Sequence, residues 1–126
     1  MAQQLTIEGA LVISEAVGDY QGQSQVTNTI AEKMSILQYQ NTVYVLSSDS
    51  AQTVALGALT EINVLQIRVV GNKVRVRITS TDGTTQAIPV DSFLCIVSDS
   101  VSITAVDLTR TAGSETTVYV TICQKG

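Results

Sequence analysis

The amino-acid sequence predicts an all-β fold, an antiparallel β-sandwich of roughly 8–10 strands. Val and Ile dominate the apolar residues and Thr is abundant, and these β-branched side chains pack well on a pleated sheet. Apolar and polar residues alternate in several segments, as they do in strands with one buried face. Turn-forming residues recur between these segments every eight to twelve positions or so, which is the spacing of a sandwich or barrel.

The turns assign the strands in order. We predict strands at 4–8, 10–17, 42–47, 51–56, 61–70, 73–81, 84–89, 92–97, 101–108 and 115–123. The segment 26–40 fits two patterns. Ile30, Met34 and Leu37 would share the face of a helix, whereas Ile30, Met34 and Ile36 would share the face of a strand. Strand is the favoured interpretation of this segment.

The segment 61–81 predicts a hairpin that turns at Gly71-Asn72. Glycine at the first central position suits a type II′ turn between antiparallel strands. Burying the aliphatic side chains on one face would contribute roughly 1.5–3 kcal/mol each before entropy is subtracted. The register of such a turn pairs Val69 with Val74, Ile67 with Val76, and Leu65 with Ile78.

A second turn is predicted at Asp82-Gly83, a pair of residues that suits type I′. The chain is therefore expected to meander through three neighbouring strands, 61–70, 73–81 and 84–89. Pro89 has no N–H to donate to a ladder, so we expect it at a strand end or a sheet edge.

The other face of the predicted hairpin would carry a basic stripe. Its members, Arg68, Lys73, Arg75 and Arg77, are four of the seven basic residues. We take them as a candidate interface, with Arg68 directly opposite Arg75, where like charges are unfavourable. The stripe fits a solvated surface or a neighbouring subunit that supplies carboxylates. Nucleic-acid phosphate is disfavoured, because no aromatic side chain interleaves the stripe.

Composition fits one domain, 1–126, which is long enough to bury a single core. Apolar residues at 44% against charged residues at 14% exclude a disordered chain. The net charge of −4 argues against a nucleic-acid partner. Cys95 and Cys123 lie in apolar runs and are expected to be reduced core residues. A bridge between neighbouring strands is the alternative, and it depends on the separation of their Cα atoms.

Catalytic chemistry has little support in the sequence. Histidine is absent, which removes the commonest general base and the commonest metal ligand. No nucleophile elbow, phosphate-binding loop or dinucleotide fingerprint occurs. Asp49 and Asp99 lie in loops, but their spacing is not that of a calcium-binding loop. We therefore expect a protein that is not an enzyme, with no catalytic, cofactor-binding or metal-binding residues and no cofactor.

The expected surface fits a protein that packs against other copies of the same chain. Thr, Ser, Gln and Asn supply most of the expected outward positions, whereas a freely soluble monomer commonly carries more charge. The first residues do not have the pattern of a secretory signal, and no apolar run is long enough to span a membrane. We expect a protein made in the cytoplasm, without a membrane partner.

Across its whole length the chain resembles the small jelly-roll or β-sandwich virion proteins of tailed bacteriophages, namely head decoration or cement proteins and minor tail or collar subunits. The segments 101–108 and 116–122 are typical of that texture. The resemblance rests on texture rather than on a motif, so it transfers no functional residue. It implies a jelly-roll-like sandwich, a homo-oligomer with trimers favoured, and other virion proteins as partners.

The expected function is that of a non-enzymatic virion structural protein, a capsid decoration or cement protein or a minor tail subunit. It would act through contacts between subunits and be located in the virion, assembled in the host cytoplasm. The alternative is a carbohydrate- or receptor-binding module on the same sandwich. For a glycan partner, Tyr20, Tyr39, Tyr44 and Tyr119 supply the ring platforms.

Overall fold

The computed structural model describes residues 3–14, 24–98, 102–111 and 113–126. Contacts between residues divide the chain into two compact units, Met1–Ser35 and Ile36–Gly126. The assignment of 1–126 to a single domain stays a prediction.

All regular structure in the described residues is extended, which confirms the all-β prediction. Among these residues there is no helix with the length and apolar character needed to cross a membrane. The strands are β1 (Gln3–Ser14), β2 (Ser24–Leu46), β3 (Gln52–Thr53), β4 (Val64–Val70), β5 (Val74–Ser80), β6 (Thr85–Val90), β7 (Phe93–Val97), β8 (Ile103–Arg110) and β9 (Thr116–Lys125).

Two predicted breaks between strands, at Gly9 and at Asn41, are absent, and one predicted strand is much shorter. The segments 4–8 and 10–14 form the single strand β1 across Gly9, and the strand interpretation of 26–40 is confirmed as part of β2. A strand over 51–56 is wrong, because only Gln52 and Thr53 pair there. The N–H of Val54 still donates to the carbonyl of Val106 in β8 at 2.9 Å, and at the next residue the Tyr44 hydroxyl accepts a hydrogen bond from the N–H of Ala55 at 2.8 Å. Positions 15–17 lie outside the described residues.

The strand order is that of a jelly roll, and the antiparallel sandwich is confirmed. One sheet has the order β1-β2-β9-β4-β7 and the other has the order β3-β8-β5-β6. The pairs β2 with β9, β3 with β8, β4 with β7 and β5 with β6 are nested, as if one long hairpin had been folded over twice. The contacts of β4 with β9 and of β5 with β8 complete the two sheets, so the arrangement consists of two interlocked Greek keys. We call the layer β2-β9-β4-β7 the β4 sheet and the layer β3-β8-β5-β6 the β5 sheet.

The predicted pairing of β4 with β5 is wrong. β4 lies between β9 and β7, whereas β5 lies between β8 and β6 in the other sheet. The three-strand meander is therefore wrong as well, and only its second hairpin, β5 with β6, exists. The alternation along both strands is nevertheless as expected. It fixes which side of each strand is apolar, but two apolar sides can be buried side by side in one sheet or face to face between two sheets.

The segment from Gly71 to Lys73 carries the chain from one sheet to the other. Gly71 has a φ of 124°, and a Cβ there would lie 3.3 Å from the Cα of Thr116. The Thr116 hydroxyl accepts a hydrogen bond from the N–H of Asn72 at 3.2 Å. The carbonyl of Lys73 accepts one from the Thr111 hydroxyl at 2.8 Å. The Thr116 contacts hold the crossing against the start of β9, the Thr111 contact holds it beside the end of β8, and a glycine is needed at its first residue.

The core lies between the inner faces of the two sheets. The β4 residues of the predicted apolar pairs are buried, and so are their β5 counterparts. Both sets belong to one core cluster, in which β8 and β9 supply most of the remaining strand residues. The fully buried aliphatic members contributed by the four central strands are Leu65, Ile67, Val74, Val76, Val106, Leu108, Val118, Val120 and Ile122.

The turn between β5 and β6 is a hairpin, but its type differs from the prediction. A type I′ turn needs positive φ at both central residues, and no described non-glycine residue has positive φ. Instead, the carbonyl of Ser80 accepts a hydrogen bond from the N–H of Gly83 at 3.0 Å, and Gly83 has a φ of 86°. This is a type I turn followed by a left-handed glycine. The N–H and the hydroxyl of Thr84 both donate to the Asp82 carboxylate, which holds the pKa of that carboxyl below its usual value.

The unit Met1–Ser35 contains β1 and the first part of β2, which are neighbours in the sheet order. Where side chains are described, they alternate in exposure. Leu5, Ile7 and Met34 are half-buried, whereas the adjacent Gln4 and Thr6 are exposed. This alternation of apolar and polar positions is that of an amphipathic β-ribbon.

The packing predicts a large loss of stability when a central side chain is shortened. Ile67→Ala removes a fully buried side chain of β4 and should lower the free energy of unfolding by about 2–5 kcal/mol. Gln66→Ala, one residue away on the exposed side, should change it by less than about 0.5 kcal/mol. Urea unfolding followed by circular dichroism gives both values, and equal losses would place the core on the wrong side of β4.

The crossing predicts a second contrast, between two glycines. Gly71→Ala meets the backbone of Thr116 and should destabilise the protein by about 2–3 kcal/mol. Gly83→Ala has open space around the new methyl group and should lose only about 1 kcal/mol from the left-handed conformation. Thermal unfolding of the two variants should therefore rank Gly71→Ala well below Gly83→Ala, and the reverse order would contradict the sheet crossing.

Candidate interaction face

The outer face of the β4 sheet consists of the side chains that point away from the core. Because Leu65, Ile67 and Val69 of β4 are in the core, Gln66 and Arg68 between them point outward. The register carries this assignment to the neighbouring strands, and the residues fall into four rows across the sheet. The rows are Tyr39, Cys123, Val64 and Val97; Asn41, Thr121, Gln66 and Cys95; Val43, Tyr119, Arg68 and Phe93; and Val45, Thr117 and Val70.

Large apolar side chains are concentrated on this outer face. Among the residues whose exposure is described, eight large hydrophobic side chains are exposed, and seven of them belong to the four rows. The most exposed of these are Tyr39 at 57% and Phe93 at 56%. The eighth, Leu37, lies at the irregularity in the β2–β9 register between Ile36 and Gln38. The β4 sheet is therefore apolar on both faces.

The outer face of the β5 sheet has the opposite character. Its β5 strand presents Arg75, Arg77 and Thr79, because Val74, Val76 and Ile78 are buried. Asp107 lies directly opposite Arg77 in the ladder and accepts a hydrogen bond from the Thr53 hydroxyl at 2.8 Å. Small or polar side chains fill the remaining outward positions on β6 and β8, namely Thr85, Ala87, Pro89, Ala105 and Thr109. This face has the composition of an ordinary solvated surface.

Arg68 is the one formally charged residue in the four rows. Its guanidinium carbon lies 5.7 Å from the centroid of the Tyr119 ring, which is within cation–π range. Tyr119 is directly opposite Arg68 in the β4–β9 ladder, and Phe93 is directly opposite on the other side. Aromatic rings thus flank the charge, and the Tyr119 ring attracts the guanidinium electrostatically.

The four residues of the predicted basic stripe do not share a face. Arg68 lies on the outer face of the β4 sheet, whereas Arg75 and Arg77 lie on the outer face of the β5 sheet. Lys73 is exposed at the crossing between the sheets. The predicted opposition of Arg68 and Arg75 is wrong, because it depended on pairing β4 with β5.

The four tyrosines are also in different environments. Tyr39 and Tyr119 are exposed on the outer face of the β4 sheet. Tyr44 is half-buried against the core, and its hydroxyl bonds the backbone of Ala55. Tyr20 lies outside the described residues. The face therefore offers Tyr39, Tyr119 and Phe93 as accessible rings.

Both cysteines are free, and only Cys123 is buried. The expectation that Cys95 is a core residue is wrong: it lies on the outer face, directly opposite Gln66. Cys123 is in β9, opposite Val64. The strand β4 therefore lies between the two cysteines, which are also in different rows. Desolvation raises the pKa of both thiols, including that of the exposed Cys95.

Several carboxylates of the described residues have structural partners. Asp49 forms an ion pair with Arg110 at 2.9 Å, and Glu61 accepts a hydrogen bond from the Ser102 hydroxyl at 2.7 Å. Asp99 lies outside the described residues. No group of three or more His, Cys, Asp or Glu residues that could hold a metal ion occurs in the described part of the chain.

Sequence reasoning missed the outer face, although a signal for it was present. The runs Val43–Leu46 and Phe93–Val97 are apolar without interruption. A strand with one solvated side alternates, whereas an uninterrupted apolar strand has both sides covered. In these two strands one side faces the core and the other forms the exposed rows.

No protein-family model, no curated protein and no solved structure matches this chain.

The two thiols predict a simple titration. In the native protein one thiol, that of Cys95, should react with Ellman's reagent, and Cys123 should react only after unfolding in guanidinium. Because the thiolate is the nucleophile and the pKa is raised, the Cys95 rate should still be increasing at pH 9. Cys95→Ser should abolish the native reaction, and two rapidly reacting thiols in the native protein would contradict the burial of Cys123.

Proposed function

We propose that this protein is a non-enzymatic virion structural protein, a capsid decoration or cement protein or a minor tail subunit. It acts through subunit contacts that cover the outer face of the β4 sheet. The observation that carries the proposal is this exposed apolar face on a jelly roll whose other outer face is polar.

The size of the apolar face is the first physical argument. The seven exposed residues are three aromatic side chains and four valines, each about half exposed. An aromatic side chain carries roughly 150–250 Å² of surface and a valine less, so together they present on the order of 500 Å². The largest apolar patch on a typical monomer covers about 300–600 Å², and patches of this size commonly mark interaction sites. A standard protein–protein interface buries about 800 Å² on each partner, which the face and its polar margin can supply.

The composition of the face is the second argument. The centres of interfaces are depleted of charge and enriched in aromatic residues and Arg. Tyr119, Arg68 and Phe93 lie side by side in one row of this face, on three adjacent strands. An Arg between aromatic rings in apolar surroundings commonly contributes much of the binding energy of an interface. The face is therefore suited to contact another protein.

The fold supports the proposal only as an analogy. Jelly rolls occur in virus capsids and also in lectins and cupins, so the architecture by itself does not select a function. A β-sandwich with a low-charge exterior suits a protein that packs against other subunits. The resemblance to virion proteins of tailed bacteriophages and the exposed face together favour the virion among these uses.

The same face favours one alternative function. Tyr39, Tyr119 and Phe93 are exposed on it, and aromatic rings are the platforms on which sugar rings stack. A carbohydrate- or receptor-binding module would use these rings instead of a protein partner. A glycan array distinguishes the two, because hits that are lost in Tyr119→Ala would replace the virion proposal.

A lysine on each outer face tests where subunits meet. Val43→Lys places a charge in the row of Tyr119 and Arg68, and it should lower self-association by about tenfold or more. Ala87→Lys places the same charge on the exposed outer face of the β5 sheet and should leave association unchanged. Size-exclusion chromatography with light scattering measures both, and equal effects would exclude the face as the contact.

The location requires a separate experiment. Mass spectrometry of virus particles purified from the biological source of this chain should detect the protein in a fixed ratio to the major shell protein. Its absence from intact particles would overturn the virion location, even if the protein associates with itself. A mass from light scattering that is a multiple of three would support the trimer that the resemblance implies.

A further inference from the structure

The sheet edges in Ile36–Gly126 are protected to different degrees. β3 is only two residues long, and β6 contains Pro89, which has no N–H to offer a new strand. β7 is the last strand of its sheet and consists of Phe93, Leu94, Cys95, Ile96 and Val97. It contains no charge, no proline and no glycine, so it is the one of these three edges without a device against further pairing.

Within the described residues, the ladder between β7 and β4 identifies the backbone groups of β7 that do not pair with β4. The N–H of Val69 donates to the carbonyl of Ser92 at 2.8 Å, and the N–H of Ser98 donates to the carbonyl of Asn63 at 2.8 Å. Hydrogen-bonded pairs alternate along an antiparallel ladder, so Leu94 and Ile96 also direct their backbone groups toward β4. The intervening residues Phe93, Cys95 and Val97 direct theirs away from β4.

These three residues select one register for an added antiparallel copy of β7. A bonded pair requires that both residues direct their groups toward each other. Only the register centred on Cys95 uses all three, because Phe93 then lies opposite Val97 of the second copy and Cys95 lies opposite Cys95. Each such pair exchanges two hydrogen bonds, which gives six in total.

We propose that β7 pairs with β7 of a second copy of this chain across a two-fold axis at Cys95. The contact joins two β4 sheets into one continuous sheet and brings their outer faces side by side. Leu94 and Ile96 are half-buried and pack against the core, so pairing with Ile96 and Leu94 of the second copy extends the apolar layer across the junction. No charged residue is buried in this contact.

A second copy is the occupant because the edge is complementary to itself. Every side-chain pair in the register centred on Cys95 is apolar, and each carbonyl meets an N–H of an identical strand. An unrelated strand could also pair with the backbone of β7, but it would extend the apolar layer only if it placed apolar side chains opposite Leu94 and Ile96. The inference goes beyond the proposed function, because it concerns the edge of the sheet and is independent of a virion location.

Two pairs of variants test the contact in the full-length chain. Cys95→Pro removes an N–H that points away from β4, so the fold should persist while the dimer dissociation constant rises about tenfold or more. Cys95→Ala keeps the N–H and should leave the dimer intact. Cys95→Lys sets two ammonium groups opposite each other and should give monomers. Ala87→Lys is its matched control, since Ala87 is exposed in the middle of β6, an edge strand of the other sheet.

Sedimentation equilibrium reads out the association of these variants, and circular dichroism confirms that each one is folded. The expected result is a wild-type dimer that is lost in Cys95→Pro and Cys95→Lys and kept in Cys95→Ala and Ala87→Lys. A wild type that stays monomeric at high concentration would overturn the inference. A dimer that is lost in Cys95→Lys but kept in Cys95→Pro would also overturn it, and would assign the contact to the outer face of the proposed function instead.

Thiol cross-linking tests the register. Opposite residues of a hydrogen-bonded pair have Cα atoms about 5.5 Å apart, so a short bismaleimide should link the two Cys95 thiols of the wild-type dimer. Cys95→Ser should remove the covalent dimer, and the buried Cys123 should not replace it. A dimer that is not linked by the reagent while Cys95 remains reactive would overturn the two-fold position.

Discussion

The burial of β4 and β9 against β5 and β8 is the interaction on which the rest of this structure depends. Leu65 and Ile67 in one sheet and Val76 and Leu108 in the other are completely buried in the same core cluster. The crossing at Gly71 makes this packing accessible, because it turns β5 away from the edge of β4 and places it in the opposite sheet. With β4 and β5 apart, each can take two other neighbours, and the nested jelly-roll order follows.

This constraint also determines what the outside of the protein can do. Once the inner faces are committed to the core, the chemistry available for binding is that of the two outer faces and the free edges. One outer face carries Arg75, Arg77 and Asp107 and is well solvated, whereas the other carries exposed aromatic and aliphatic side chains. The difference indicates which face associates. Removing water from a face lowers the free energy only where the face is apolar, which is the case for the second one.

The separation of the arginines follows from the same packing. Arg68 and Arg75 are close in sequence, but they lie on opposite outer faces of the sandwich. Arg68 is therefore isolated among apolar neighbours, with the Tyr119 ring beside it. An arginine in this setting can serve as an anchor for a partner, whereas a stripe of four cations would have repelled a second copy of the same chain.

The sequence by itself determined most of the strands, their apolar sides and the position of the β5–β6 hairpin, because alternation and turn chemistry act over a few neighbouring residues. It predicted that Ile67 and Val76 are buried and that Arg75 and Arg77 lie on the opposite side of their strand, as the structure has them. Tertiary structure alone decided that β4 and β5 belong to different sheets, since alternation is the same for strands paired edge to edge and strands packed face to face. The exposed apolar rows and the free edge of β7 follow from that decision, because they exist only once each strand has its neighbours.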